Sequence, residues 1–431
     1  MSQTRESAPP RHALRPPVQA VLLQHVEALA FLRSRRSVQV RAPQVQLSQL
    51  ARLDEQIAAH LDGVALSGAA GASLCRQALE LPSAGALFAA AACALETQDL
   101  AWLAALTDLA QALPEAQSGL VSALGWMPPA RLRGIGAVLL NSSQPWHFEL
   151  GLAACELHRV DPGPALERAL SAAHPALRAR ALRVAARLGR HDLLGICRDM
   201  LHDENSSCAF EAMHAALLLG ERGATLSALQ ACVQAHQAKG EVALHLLLLA
   251  LPISQARTWL ASMVHQEGAS RRLLRGAGLL GDPQFAPWLI ECMSEPALAR
   301  LAGESFSVLT GLDLAGQNLQ CDGPGAPPAG SIDDPADAQV ALDEDESLPW
   351  PDPGRIAAWW AANGTGFIPG ERSFMGAPVS VARCTQVLRT GFQRQRHVAA
   401  VHLCLLQPGT PLFNTAAPAW RQQQWLAQME A

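Results

Sequence analysis

The sequence predicts an all-α protein: an α-solenoid of short helical hairpins followed by a small, mainly helical C-terminal module. Three observations carry that reading. The composition is 49% apolar and 16% charged, with 5% aromatic residues and no tyrosine, which suits Ala/Leu-rich helices packed on one another and argues against intrinsic disorder. A Leu that closes an Ala/Leu-rich stretch recurs at Leu95, Leu124, Leu157, Leu188, Leu219, Leu249, Leu280 and Leu309, at intervals of 29 to 33 residues. Seven, four and three residues before most of them stand small or apolar side chains, as in Ala181/Val184/Ala185 and Ala212/Ala215/Ala216, the spacing of one helix face.

The 431 residues suffice for two or three domains. Residues 1–80 read as an N-terminal helical cap, 81–310 as the repeat solenoid, 311–354 as an acidic Gly/Pro-rich linker, and 355–431 as a C-terminal module bearing Trp and Arg. In the cap, residues 18–33 and 44–61 are amphipathic. Val21, Leu22, Val26, Leu29 and Leu32 line the first helix, and Leu50, Leu53, Ile57 and Leu61 the second, with Gly63 and the glycines at 68 and 71 ending it. A solenoid end needs such a cover because its outermost apolar face has no neighbour.

Within the repeats, glycine follows the closing Leu at Gly125, Gly189, Gly220 and Gly281, where a helix most easily ends in a left-handed residue. A second amphipathic segment comes next, clearest at residues 192–201, 224–233, 254–264 and 283–293. Each pair of helices buries its apolar face against the next pair. Gln117 and His245 break the pattern at core positions. Eight residues before the closing Leu lie Glu149, Arg180, Glu211, Glu241 and Arg272, which predicts inter-repeat ladders Glu149–Arg180–Glu211 and Glu241–Arg272. Each exposed rung is worth only about 0–1 kcal/mol, so the ladder sets alignment more than stability.

After Leu309 the repeat stops. Residues 301–354 carry 11 acidic and no basic side chains, including the run Asp343, Glu344, Asp345 and Glu346. Two readings stand: a solvated linker, or an acidic strap that docks on a basic surface of the C-terminal module or of a partner. The C-terminal module carries 7 basic and 2 acidic residues and holds helices at residues 380–391, 393–409 and 417–428. Trp350, Trp359, Trp360, Trp420, Arg394, Arg396 and Arg421 are the candidate partner-binding residues, since Trp and Arg dominate interface energetics. The competing reading places the tryptophans in the core of a small domain.

Composition also excludes chemistry. Lys239 is the single lysine beside 32 arginines, which removes lysine Schiff bases and Walker-type phosphate loops. No GxSxG, HExxH or His-Glu dipeptide occurs, so no catalytic residue, cofactor site or metal site is assigned. Residues 1–300 balance 26 basic against 25 acidic side chains, and glutamates interleave the arginine stripe Arg180, Arg183, Arg187 and Arg190, which speaks against nucleic acid as partner. Ten cysteines without a CxxC pair, a first stretch through Pro17 lacking signal-peptide order, and a longest apolar run of residues 242–253 predict a cytoplasmic chain without a membrane span.

The unit is similar to the short HEAT-type repeat, as in HPALRARALRVAARLGRHDLLGICRDML (residues 174–201) and GASRRLLRGAGLLGDPQFAPWLIECM (residues 268–293). It is shorter than the usual HEAT length of roughly 40–47 residues and resembles the subclass found in phycobilin lyases. LARLDEQIAAHLDGV (residues 50–64), the stretch from GLDL to DEDESLPWPDPGRIAAWWAANGTGF (residues 311–367), and LRTGFQRQRHVAAVHLCLLQPGTPLFNTAAPAWRQQQWL (residues 388–426) resemble a proteobacterial HEAT-repeat family encoded in type VI secretion gene clusters. That resemblance implies a non-enzymatic adaptor or chaperone-like scaffold whose protein partner is a secretion effector or spike component. Two alternatives are an immunity protein neutralising a cognate toxin, and a HEAT-like enzyme of lyase or nucleic-acid alkylation-repair type.

Overall fold

The structure, a computed structural model, describes residues 18–235, 239–265, 268–323 and 344–429. The proline-rich start of the expected cap, most of the acidic linker including Asp343, and the last two residues lie outside the described residues. Helices dominate. The chain opens with α1 (Gln19–Gln39), α2 (Leu47–Leu66) and α3 (Ala69–Ala78). Then come α4 (Ala84–Thr97), α5 (Leu100–Ala112), α6 (Gln117–Trp126), α7 (Ile135–Leu140), α8 (Pro145–His158) and α9 (Pro164–Leu170). They are followed by α10 (Pro175–Leu188), α11 (Leu194–Asp199), α12 (Ser206–Leu218), α13 (Gly223–Gln234), α14 (Gly240–Ala250) and α15 (Ile253–Ser262). The series ends with α16 (Ala269–Leu280), α17 (Ala286–Cys292) and α18 (Ala299–Thr310). Past the acidic segment lie α19 (Pro353–Asn363), the hairpin β1 (Ser373–Phe374) and β2 (Ala377–Pro378), then α20 (Val381–Thr390), α21 (Gln393–Leu406) and α22 (Ala419–Gln428). No helix among the described residues is long and apolar enough to cross a membrane.

The eight closing leucines all fall in the last turns of a helix or, for Leu219, at its C-cap. Local chemistry sets the ends. Ser83, Asp99 and Asn205 accept hydrogen bonds from the first free N–H groups of α4, α5 and α12, while proline opens α8, α9 and α10. Gly189 and Gly281 end α10 and α16 in the left-handed conformation, and where glycine is missing Gln98 and Arg159 adopt it instead. Gly125 departs from expectation: it lies inside α6, which ends at Trp126. Likewise α2 runs through Gly63 to Leu66 before α3 begins.

The chain divides into two compact units: residues 1–34 with 55–131, and residues 35–54 with 132–431. In the first, α4 is buried from Gly85 to Leu95 and packs on α3, α5 and α6. Gly119 of α6 comes so close that a Cβ there would lie 2.1 Å from the carbonyl of Ala84. In the second, α8, α10 and α12 stand side by side, as do α14, α16 and α18, with α13 between α12 and α14. Ala181, Ala185, Ala212, Ala215 and Ala216 are fully buried, so small side chains bring α10 and α12 together. Each odd-numbered helix from α7 to α17 packs on the helix that follows it, α7 on α8, α9 on α10, α11 on α12, α13 on α14, α15 on α16 and α17 on α18.

Residues 355–429, expected as a module of their own, share a core with α10, α12 and α14: Cys384, Leu388, Ala399, Leu403 and Leu426 belong to the same apolar cluster as Leu182, Leu217 and Leu248. The reason lies at the helix ends, whose last carbonyls lack intrahelical partners. Arg421 donates to Leu157 O of α8 (3.2 Å), and the Leu412 N–H to Arg187 O of α10 (3.1 Å). Arg372 donates to Leu248 O (2.8 Å) and Leu251 O (2.9 Å) at the end of α14 and to Leu279 O of α16 (3.3 Å). The N–H groups of Ser373 and Met375 reach Gly281 O and Val308 O, each at 2.7 Å. The hairpin that does this turns through Met375 and Gly376, both with positive φ, and pairs Ser373 with Pro378 and Phe374 with Ala377. At α12, Pro408 packs against Gly220 and Arg222 donates to Leu405 O.

Gly281 shows how tight this seam is. Its φ is +67° and a Cβ there would stand 2.1 Å from Ser373 O. Gly281→Ala should cost at least about 2 kcal/mol in urea unfolding. Gly195→Ala, in α11 where an added Cβ meets nothing within 4 Å, should be neutral or stabilising by up to about 1 kcal/mol.

Candidate functional site

The long helices of the second unit carry their charges in register. Arg180 donates to Glu149 (3.3 Å) and Glu156 (3.4 Å) of α8, and Arg187 donates to Glu156 at 2.6 Å. Arg183 pairs with Glu211 of α12 at 3.1 Å from its Nε, and Arg272 with Glu241 of α14. Two of the three expected rungs, Glu149–Arg180 and Glu241–Arg272, are therefore formed. The rung Arg180–Glu211 is replaced, because two carboxylates on α8 hold Arg180 and the guanidinium one turn further along α10 takes Glu211. Glu156 is the most enclosed member, with its side chain 3% exposed between two arginines.

Arg183, His214, His245, Arg275 and Glu304 occupy equivalent positions, four or five residues before the closing Leu, on α10, α12, α14, α16 and α18. Arg394 and His397 of α21 face this row: His397 interacts with Arg187, His214 and His245. Burial lowers the pKa of all three histidines, that of His214 to about 4, and the nearby Arg187 or Arg275 lowers them further. His397 nevertheless reaches solvent.

At the α16–α18 end of the row three arginines converge on the acidic segment. Arg271 meets Asp345 at 2.5 Å, Arg275 meets Glu344 at 2.7 Å, and Arg394 donates both to Glu304 (2.8 Å) and to the main-chain carbonyl of Glu344 (3.2 Å). Of the two readings of the acidic run, docking within the chain is what Glu344 and Asp345 do, on α16 as well as on the C-terminal region. Burial raises the pKa of Glu304 against the opposing pull of Arg394, whereas the hydrogen bond from Arg275 lowers that of Glu344. The segment is anchored further on, where the Cys321 N–H donates to Trp350 O and the Asp352 N–H to Leu319 O, each at 2.9 Å.

The seven residues singled out from sequence do not form one surface. Trp359 and Trp360 pack edge-on against Phe306 of α18, with centroids 6.2 and 5.8 Å away, in a second apolar cluster with Leu289, Leu301 and Ile356. Trp350 lies under Arg300, 4.8 Å from guanidinium to ring. Trp420 is part-exposed with Arg421 over its ring. Arg396 is 0% exposed and donates to Leu388 O, Gln393 and Gln422, and Arg421 is buried against Leu157 O. Both guanidiniums close off helix-end carbonyls and offer a partner nothing, a correction to their assignment as binding residues. Arg394 alone reaches the charged face. Arg271, Glu304 and His397 were missed, although ionisable residues recurring on an Ala/Leu face were the available signal, whereas Glu344 was read as part of the docking acidic run.

Among the described residues no group of three or more His, Cys, Asp or Glu side chains is placed to hold a metal ion. Glu156→Ala strips two arginines of their shared partner and should cost about 2–4 kcal/mol, whereas breaking the exposed Arg272–Glu241 pair should cost under about 1 kcal/mol, both read from denaturant unfolding. Acid should weaken the fold before carboxylates titrate. Buried His402 has its pKa lowered to about 3 against an ordinary 6.5, so the unfolded chain takes the proton first. Its contribution is complete above pH 6.5 and falls by up to about 1.4 kcal/mol per unit as pH drops below that. His402→Phe should make the stability profile less steep between pH 6.5 and 4.5, His214 supplying part of the slope that remains; an unchanged slope would refute this origin. The chain matches no family model, no curated protein and no solved structure.

Proposed function

We propose that this protein is a non-enzymatic scaffold, an α-solenoid of short HEAT-like hairpins that holds a protein partner, and that the partner is an effector or spike component of a type VI secretion system. The observation that carries the binding role is the row Arg183, His214, His245, Arg275 and Glu304 faced by Arg394 and His397, a charge-bearing surface to which α10, α12, α14, α16, α18 and α21 contribute. The opposite requirement of a scaffold, rigidity, is met by the C-terminal region, which closes the carbonyl ends of those helices and spares the partner that task. The secretion context rests on the resemblance of residues 50–64, 311–367 and 388–426.

Full-length protein carrying an affinity tag, captured from native cells with an intact secretion cluster, should bring down an effector or spike protein. The double substitution His245→Glu with His397→Glu should reduce that capture at least about tenfold while leaving the unfolding midpoint near the wild-type value. Capture of no secretion-cluster protein, or capture indifferent to both substitutions, would refute the proposal.

A further inference from the structure

We infer that the arginine cluster Arg271, Arg275 and Arg394 is a recognition site for an acidic, extended peptide segment, and that Glu344 and Asp345 occupy it as the chain's own ligand. The inference rests on the scaffold reading and names the chemistry of its partner. Three features point to a peptide. The cations come from two elements, α16 and α21, and meet side-chain carboxylates and a main-chain carbonyl of the same short segment, with contacts of 2.5, 2.7 and 3.2 Å. Carboxylates spaced one residue apart together with an amide oxygen are what a polypeptide presents and what a phosphate or sugar backbone does not. Glu304, Glu241 and Glu211 stand along the same face, and their negative charge disfavours a polyanion that would extend past the arginines.

The self-ligand is held unevenly. Asp345 is buried and anchors the turn through the Leu348 N–H, which donates to its carbonyl at 2.8 Å. Glu344 is 68% exposed at its side chain and spends its carboxylate on Arg275 alone among the ion pairs it makes. An exposed ion pair contributes little, about 0–1 kcal/mol, so an external acidic segment of several carboxylates can displace it by mass action. Arg394 stays oriented throughout, because Glu304, a carboxylate 12% exposed, holds its other nitrogen. The site is thereby preorganised whether or not Glu344 is in place.

The test uses the full chain and a fluorescein-labelled peptide of the chain's own acidic run, LDEDESL (residues 342–348), read by anisotropy at low and at moderate salt. Wild-type protein should bind it weakly, and Glu344→Gln should tighten binding about three- to tenfold by removing the competitor. Arg275→Gln added to Glu344→Gln should abolish the gain, and Arg271→Gln should weaken binding in either background. Thermal unfolding of each variant confirms that the fold is retained; Glu344 and Arg275 are exposed enough for that. Equal affinity in wild type and Glu344→Gln, or binding that survives the arginine substitutions, would overturn the inference. So would tighter binding of a dT20 oligonucleotide than of the peptide at the same site. Peptide binding that behaves as described while capture from cells yields no secretion protein would refute the secretion partner and leave the acidic-segment site standing.

Discussion

An α-helix leaves its last four carbonyls without intrahelical partners, and a row of parallel helices concentrates that deficit along one edge. In the second unit of this protein the edge is closed from within the chain. Arg372 and Arg421, the N–H groups of Ser373, Met375, Gly376 and Leu412, and the Ser373 hydroxyl reach the ends of α8, α10, α14, α16 and α18. Burial lowers the pKa of both arginines to about 10, which still leaves them charged at neutral pH. Charge at a helix C-terminus is favourable, and each donor removes a buried acceptor that would otherwise be costly. The glycines that end α10 and α16 permit the approach, since Gly409 O and Ser373 O fill the space where a Cβ would be.

This constraint positions the charged face. The same C-terminal region that closes the edge carries α21, and α21 sets Arg394 and His397 opposite the row from Arg183 to Glu304. The acidic segment completes the arrangement by placing Glu344 and Asp345 on the arginines of α16. Alignment of the long helices, closure of their ends and the chemistry of the charged face are thus consequences of one packing solution. The inter-helix ion pairs refine it: Glu156 between Arg180 and Arg187 is buried and registers α8 against α10, while Glu241–Arg272 is exposed and does little more than match charge.

Much of the helical order was legible because it is written locally. Eight closing leucines mark eight helices and the apolar spacing before them marks the buried face, whereas the caps Ser83, Asp99 and Asn205 emerge only in the structure. Gly125 misled because a buried glycine inside α6 serves packing and leaves φ helical. The C-terminal region was legible as three helices and illegible as a closure for distant ones, since donors such as Arg372 and Leu412 meet carbonyls more than a hundred residues away with no periodic trace. Arg396 and Arg421 looked like interface residues for the same reason: sequence shows a guanidinium but not the carbonyl it answers. Of the candidate surface Arg394 and the docking of the acidic run were found, while nothing local in the sequence pointed to Arg275 and Glu304 as the side chains that meet Glu344 and Arg394.

Hydrogen–deuterium exchange on the full-length chain addresses the central claim most directly. If the C-terminal region shares one core with the long helices, amides in α20 and α21 and in β1 should exchange with the same free energy as those in α10, α12 and α16, and Arg372→Leu should lower all of them together. Fast exchange confined to residues 372–429, with α10 to α18 still fully protected, would show that the helix ends do not depend on them and would contradict the account.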